Sequence, residues 1–211
     1  MIALLTRNDE IRMTKDESCR GVCIKRLTNE FDSAAFTLIE LIVVIAVIVI
    51  LAGLVLSTVG YVQKKAARSR AETEIAALSA ACESYKADNG VYPRNTDTDG
   101  LNARTSGNPS TSQYQSASLY LYNALFGATN GSRTPNAGAK SYFAFKPNML
   151  SPADQTQNVQ FIRDPFGNSY GYSTIQAATG NTSAGYNPTF DLWSTGGLTS
   201  GTDPTQWIKN W

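Results

Sequence analysis

Residues 41–62 carry no charged side chain, yet the residue directly before them, Glu40, is a carboxylate. No other part of the sequence restricts the fold as strongly. The run opens LIVVIAVIVILAGLVL and is 22 residues long. A membrane-spanning helix needs about 20 predominantly apolar residues to cross a core of ~30 Å. The 211-residue chain therefore has room for one span and one ordinary domain. An ionisable group against such a run is expensive to hold there, so Glu40 is a candidate functional residue. The plain alternative is a signal anchor whose carboxylate reaches out to the headgroups.

The segment ahead of the run is of a different character. Residues 1–35 hold six Lys/Arg and six Asp/Glu. A secretory signal peptide has its apolar core before the cleavage site; here the apolar core comes after this polar segment. Cys19 and Cys23 form a CxxxC pair in it. Without a second pair or any histidine, that pair is a weak metal signal. Cys82, alone beyond residue 35, reads as a small buried hydrophobe on a helix. The chain has no histidine at all, which removes Ser-His-Asp and Cys-His catalysis and His-based metal sites. No lysine or carboxylate constellation suggests other catalysis, so the chain reads as a non-enzyme. Net charge is +1, with twelve basic and eleven acidic residues after residue 35, so no nucleic-acid partner is expected. The flanks of the run conflict over orientation. Arg20, Lys25 and Arg26 precede it, and Lys64, Lys65, Arg68 and Arg70 follow it. The positive-inside rule weakly puts the C-terminal flank in the cytoplasm.

Helical pattern continues past the run. Residues 63–89 are rich in Ala, Lys, Arg and Glu, and no proline occurs from Phe36 until Pro93. Ile75, Leu78, Cys82 and Tyr85 lie on one face of an amphipathic helix. Asn89-Gly90 is a stop signal with glycine at the C-cap. One helix over 36–89 would be about 80 Å long, with residues 36–62 in a membrane or filament core and 63–90 under a domain. Gly53 and Gly60 are either close-packing points or merely tolerated.

Ala35-Phe36-Thr37-Leu38-Ile39-Glu40-Leu41, followed by an apolar helix, resembles the N-terminal signature of type IV pilins and of type II secretion pseudopilins. The resemblance implies that residues 1–35 are a leader cut between Ala35 and Phe36 by a prepilin peptidase, and that Phe36 is then N-methylated. It implies that Glu40 acts in assembly by pairing with the α-amine of a neighbouring subunit. Two departures bear on processing efficiency: most members have Gly where Ala35 stands, and their basic residues before the cut are replaced by Phe31-Asp32-Ser33-Ala34. NGVYP after the helix, DPFGNSYGY, FDLWSTGG and the Asn210-Trp211 ending resemble segments of the major pseudopilins, in the same order. A lone Cys82 cannot close the disulfide loop typical of type IVa pilins.

The resemblance thus implies a structural subunit of a periplasmic pseudopilus in type II protein secretion. The alternative is a type IV pilus or competence pilin serving adhesion, motility or DNA uptake. Implied partners are further copies in a helical homopolymer, the peptidase, an inner-membrane assembly platform, minor pseudopilins and membrane lipid. The implied location is the bacterial inner membrane, single-pass, with the C-terminal domain in the periplasm.

The expected fold is α+β, a long helix packed on a small antiparallel sheet. Residues 91–140 read as a variable polar insertion with one short helix at 118–126, Leu119, Tyr122 and Phe126 inward. Strands are expected at 141–146 (SYFAFK), 159–162, 170–174 and 190–194, within a region 141–211 that ends in a loop. Asp164-Pro165-Phe166-Gly167-Asn168 is a turn. Major pseudopilins commonly hold Ca²⁺ in that C-terminal loop. Here Asp203 is the only residue matching a family ligand, and a second family aspartate is missing near Gly197-Leu198. Asp191 is expected to face solvent or cap a turn.

Overall fold

A computed structural model describes residues 36–211. The expected leader, with Cys19, Cys23 and Ala35, lies outside the described residues. Helix α1 runs Leu38–Asn89. The chain divides into two units between Ile48 and Val49. In the first, residues 36–48 lead into and begin α1 and are exposed throughout. The second, Val49–Trp211, holds the rest of α1 and the folded domain.

Within the second unit, α1 buries Ala71, Ile75, Leu78, Ala81 and Cys82. The spacing of three and four keeps them on one stripe. That stripe meets Ile162, Tyr170, Tyr172, Leu192 and Ile208 in one core, with Tyr85 partly buried at its edge. Truncating Leu78, which is fully buried, would cost about 2–5 kcal/mol. Two tyrosines add polar ties, one to the helix and one to the segment just past its end. The Tyr170 hydroxyl donates to Glu74 Oε2 at 2.8 Å, and the Tyr172 hydroxyl to Pro93 O at 2.8 Å. α1 ends where its sequence says it should. Gly90 takes φ +77° and its N–H closes on Lys86 O at 2.8 Å.

Residues 91–140 differ from the expected surface insertion. They contain α2 (Thr96–Gly100) and α3 (Ser112–Phe126), the second six residues longer at its start than the 118–126 expectation. α2 is opened by a capping box in which the Asn95 side chain accepts from Thr98 N and Thr98 Oγ1 accepts from Asn95 N. α3 buries Tyr114, Ala117, Ser118, Leu121, Tyr122 and Leu125. Of the three residues expected inward, Tyr122 is fully buried, while Leu119 and Phe126 are partly buried against the core. Leu101 and Ala103 join Tyr114, Ala117, Trp193 and Trp207 in a second apolar cluster. The polar average of the segment hid these widely spaced apolar residues, whose partners lie far away in sequence.

The sheet elements are short. β1 (Leu150–Ser151) pairs antiparallel with β2 (Phe161–Ile162). β3 (Gly171–Ser173), β4 (Asp191–Ser194) and β5 (Ile208–Lys209) form a three-stranded antiparallel sheet in that order. A short helix α4 (Ile175–Thr179) follows β3. Gly171 faces Trp193 across the β3–β4 ladder, and a Cβ there would sit 2.3 Å from the indole, so only glycine fits without movement. The α+β class and the strands near 161, 171 and 191 agree with the sequence. The strand expected at 141–146 does not form. There the backbone N–H groups of Tyr142 and Phe143 both turn to Leu125 O, at 2.7 and 3.2 Å, at the end of α3. Alternation in SYFAFK instead serves an aromatic cluster, with Phe145 against Tyr122 and Phe143 at centroid distances of 5.0 and 4.7 Å.

Candidate functional site

The first turn of α1 is organised by Thr37. Its Oγ1 accepts from Glu40 N at 3.3 Å, and its carbonyl accepts from Leu41 N at 3.2 Å. Thr37-x-x-Glu40 is the spacing of a capping box, and a carboxylate in the first turn is favoured by the positive end of the helix dipole. Phe36, just ahead, is 78% exposed. From Phe36 to Val62 the large apolar side chains all face outward, and this stretch is long and apolar enough to cross a membrane. An apolar surface of this extent is not stable in water and marks a membrane or protein contact.

The other buried or singled-out carboxylates organise the sheet end of the domain. Asp164 is almost fully buried. Its Oδ1 accepts from Phe166 N (3.0 Å) and Asn168 N (2.8 Å), and its Oδ2 accepts from the Ser194 hydroxyl at 2.5 Å. One side chain thus closes the 164–168 turn and ties it to β4. Burial pushes its carboxyl above the ordinary value, against the pull of those hydrogen bonds. Asp191 does not face solvent. It is buried and caps a turn, accepting from Tyr186 N at 2.9 Å and Asn187 N at 2.7 Å, and burial raises its carboxyl likewise. Asp203 is exposed and accepts from Thr205 N at 3.0 Å, which with the Thr205 hydroxyl holds its carboxyl below the ordinary value.

Residues 31–56 match the family of the prokaryotic N-terminal methylation motif, and residues 58–126 match the family of type II secretion system protein G. Over 68 residues the chain is 43% identical to the type II secretion system core protein G of Vibrio cholerae serotype O1, strain ATCC 39315 / El Tor Inaba N16961. In these segments the chain is similar to type II secretion protein G. The aligned part is 32% of this chain and 45% of the Vibrio protein, so it spans less than half the length of that relative. No solved structure matches the chain.

The residues of the C-terminal loop can be tested against the Ca²⁺ expectation. Ca²⁺ takes six to eight oxygens, several of them from carboxylates. Asp203 is the only carboxylate in the loop 194–204. Ser194 Oγ is committed to Asp164, and Thr195 Oγ1 donates to Leu198 O at 2.6 Å. Among the described residues there is no group of three or more His, Cys, Asp or Glu that could hold a metal. This donor set does not fit Ca²⁺. Just past this loop, a cation of the chain ties the backbone to α1. Arg68 on α1 donates from Nη1 to Gln206 O at 2.9 Å and from Nη2 to Trp207 O at 3.4 Å.

Phe36 and Glu40 therefore stand together at the start of α1, while Asp203 lies in the C-terminal loop. The Asp164 network and the Arg68 clamp were not singled out in the sequence. For Asp164 the turn motif was the signal, since an aspartate opening a Pro-Gly turn commonly accepts backbone N–H groups. For Arg68 there was no signal beyond membership of a basic run.

Proposed function

We propose that this chain is a structural subunit of a type II secretion pseudopilus, of the major kind. The observation that carries this reading is the exposed apolar half of α1 headed by Glu40. It coincides with the methylation-motif match and runs directly into the protein G match. Cleavage between Ala35 and Phe36 would give a new α-amine, charged near neutral pH, and N-methylation would fall on Phe36. In a helical stack of copies, that amine meets the Glu40 carboxylate of a neighbour inside an apolar core. Removing one partner of such a pair costs roughly 3–5 kcal/mol, because the other charge is left buried and alone. The pair thereby favours one axial register. Before assembly the apolar half of α1 anchors the subunit in the inner membrane, single-pass, with the C-terminal domain in the periplasm. Growth at the filament base draws on this pool through the assembly platform, with minor pseudopilins as further partners. The match over 58–126 favours this reading over a type IV pilus or competence pilin.

Intact mass and N-terminal sequencing of the protein from cell envelopes test it. The expected product begins at Phe36 and carries one added methyl group. A chain retaining residues 1–35 would make it an ordinary anchored protein and remove the amine on which Glu40 depends.

A further inference from the structure

Helix α1 leaves its apolar run with a cationic face. Lys64 and Lys65 are neighbours, and each lies three or four residues from both Tyr61 and Arg68, so the four share one broad side of the helix. Together with Phe166 and the turn at Leu198 they wall an open groove of about 780 Å³. Three cations line the groove, and no acidic side chain does. Arg68 is held in place by Gln206 O and Trp207 O and lies 3.6 Å from Glu72. Lys64 and Lys65 are exposed and, among the described residues, are not paired with any carboxylate.

Position supplies the second argument. The uncharged run ends at Val62, so the groove begins within one helical turn of it. Tyr61, 72% exposed, stands where tyrosine is enriched, at the boundary of membrane and water. A groove with cations on one wall and Phe166 and Leu198 on the other matches an amphiphile better than a simple anion. Basic clusters beside a span attract anionic lipid.

We propose that this groove binds the phosphate-bearing headgroup of an anionic membrane phospholipid. Lys64 and Lys65 pair with the phosphate, Arg68 fixes the deep end, and Phe166 and Leu198 cover the glycerol side. The proposal also gives a role to the basic excess on the C-terminal flank, which charge counting alone would send to the cytoplasm. It rests on the first half of α1 lying in a membrane.

The test uses the full chain purified in a neutral detergent. Its thermal midpoint is followed while dioctanoyl-phosphatidylglycerol, dioctanoyl-phosphatidylcholine or inorganic phosphate is added. The expected result is a saturable rise with phosphatidylglycerol alone. Lys64→Gln/Lys65→Gln weakens that response roughly tenfold or more, and Lys64→Arg/Lys65→Arg preserves it. Both positions are exposed on a helix and both replacements are good helix formers, so the fold is kept. Equal responses to the two lipids, an unchanged response in the Gln variant, or full reproduction by inorganic phosphate would each overturn the proposal. Self-association lost in the Gln variant without any lipid preference would give the groove to a second copy and overturn it too. Alkaline extraction of the membrane fraction examines the underlying span separately. A chain that stays in the pellet but shows no lipid preference defeats the lipid site alone, whereas a released chain defeats both readings.

Discussion

Replacing Gly171 by alanine tests how tightly the second core is closed. The backbone at Gly171 needs no positive φ, so any cost must come from the added methyl group. That methyl would lie 2.3, 2.4 and 2.7 Å from three atoms of the Trp193 indole, where carbon atoms sit comfortably at about 3.5–4.0 Å. The ring would have to retreat by about 1 Å. It has nowhere to go. Trp193 is fully buried, stacks on Trp207 at 5.9 Å, and meets the edges of Tyr114 and Trp211 at 5.4 and 6.0 Å. Overpacking in cores costs about 1–3 kcal/mol, and a ring hemmed in on three sides puts Gly171→Ala at the upper end, about 3 kcal/mol. For a domain of this size that lowers the thermal midpoint by roughly 6–12 °C. Near-UV circular dichroism of the full chain in detergent reads the change directly from the tryptophans. Gly60→Ala is the control, since nothing lies within 4 Å of its Cβ and alanine is the better helix former. Its midpoint should stay level or rise. A Gly171→Ala protein that melts with the wild type would refute the packing argument.

Three further outcomes follow from the same structure. Burial pushes the Cys82 thiol up to about 12, so in a Cys19→Ser/Cys23→Ser background maleimide should label it only after unfolding; stoichiometric labelling of the folded protein at neutral pH would contradict its placement. Asp164 and Asp191 have carboxyls raised above the ordinary 3.8, so the folded state binds their protons more tightly than the unfolded state. Stability should therefore fall as pH rises from 3.8 through the raised values and level off above them. Chemical denaturation across that range should show a shallower fall in Asp191→Asn, and an unchanged slope would remove Asp191 from the account. Because the loop around Asp203 does not fit Ca²⁺, neither added Ca²⁺ nor a chelator should move the thermal midpoint, and a rise with Ca²⁺ that Asp203→Asn abolishes would reverse that conclusion.

The first half of the chain's architecture was legible because helices are written locally. Every contact that starts, continues or stops α1 lies within a few residues: Thr37 before Glu40, the apolar stripe at intervals of three and four, Gly90 after Asn89. The same locality made the 164–168 turn readable from Asp, Pro and Gly. The candidate residues Phe36 and Glu40 were visible for a related reason, since a carboxylate at the head of an uncharged run needs no tertiary context to stand out.

What the sequence did not carry was which distant residues meet. Strands of two to four residues are too short for a period of two to register, so β1 and β5 left no signal and SYFAFK gave a false one. Leu101 and Ala103 looked like part of a polar loop until Trp193 and Trp207 covered them. The Asp164–Ser194 bond spans 30 positions and the Arg68–Gln206 bond 138. By itself, then, the sequence determined the long helix, its apolar half and the carboxylate at its head, because these depend on neighbours along the chain. Only the tertiary structure decided the second core, the short sheets and the cationic groove beside the loop, because burial and hydrogen bonding there depend on residues that the fold alone brings together.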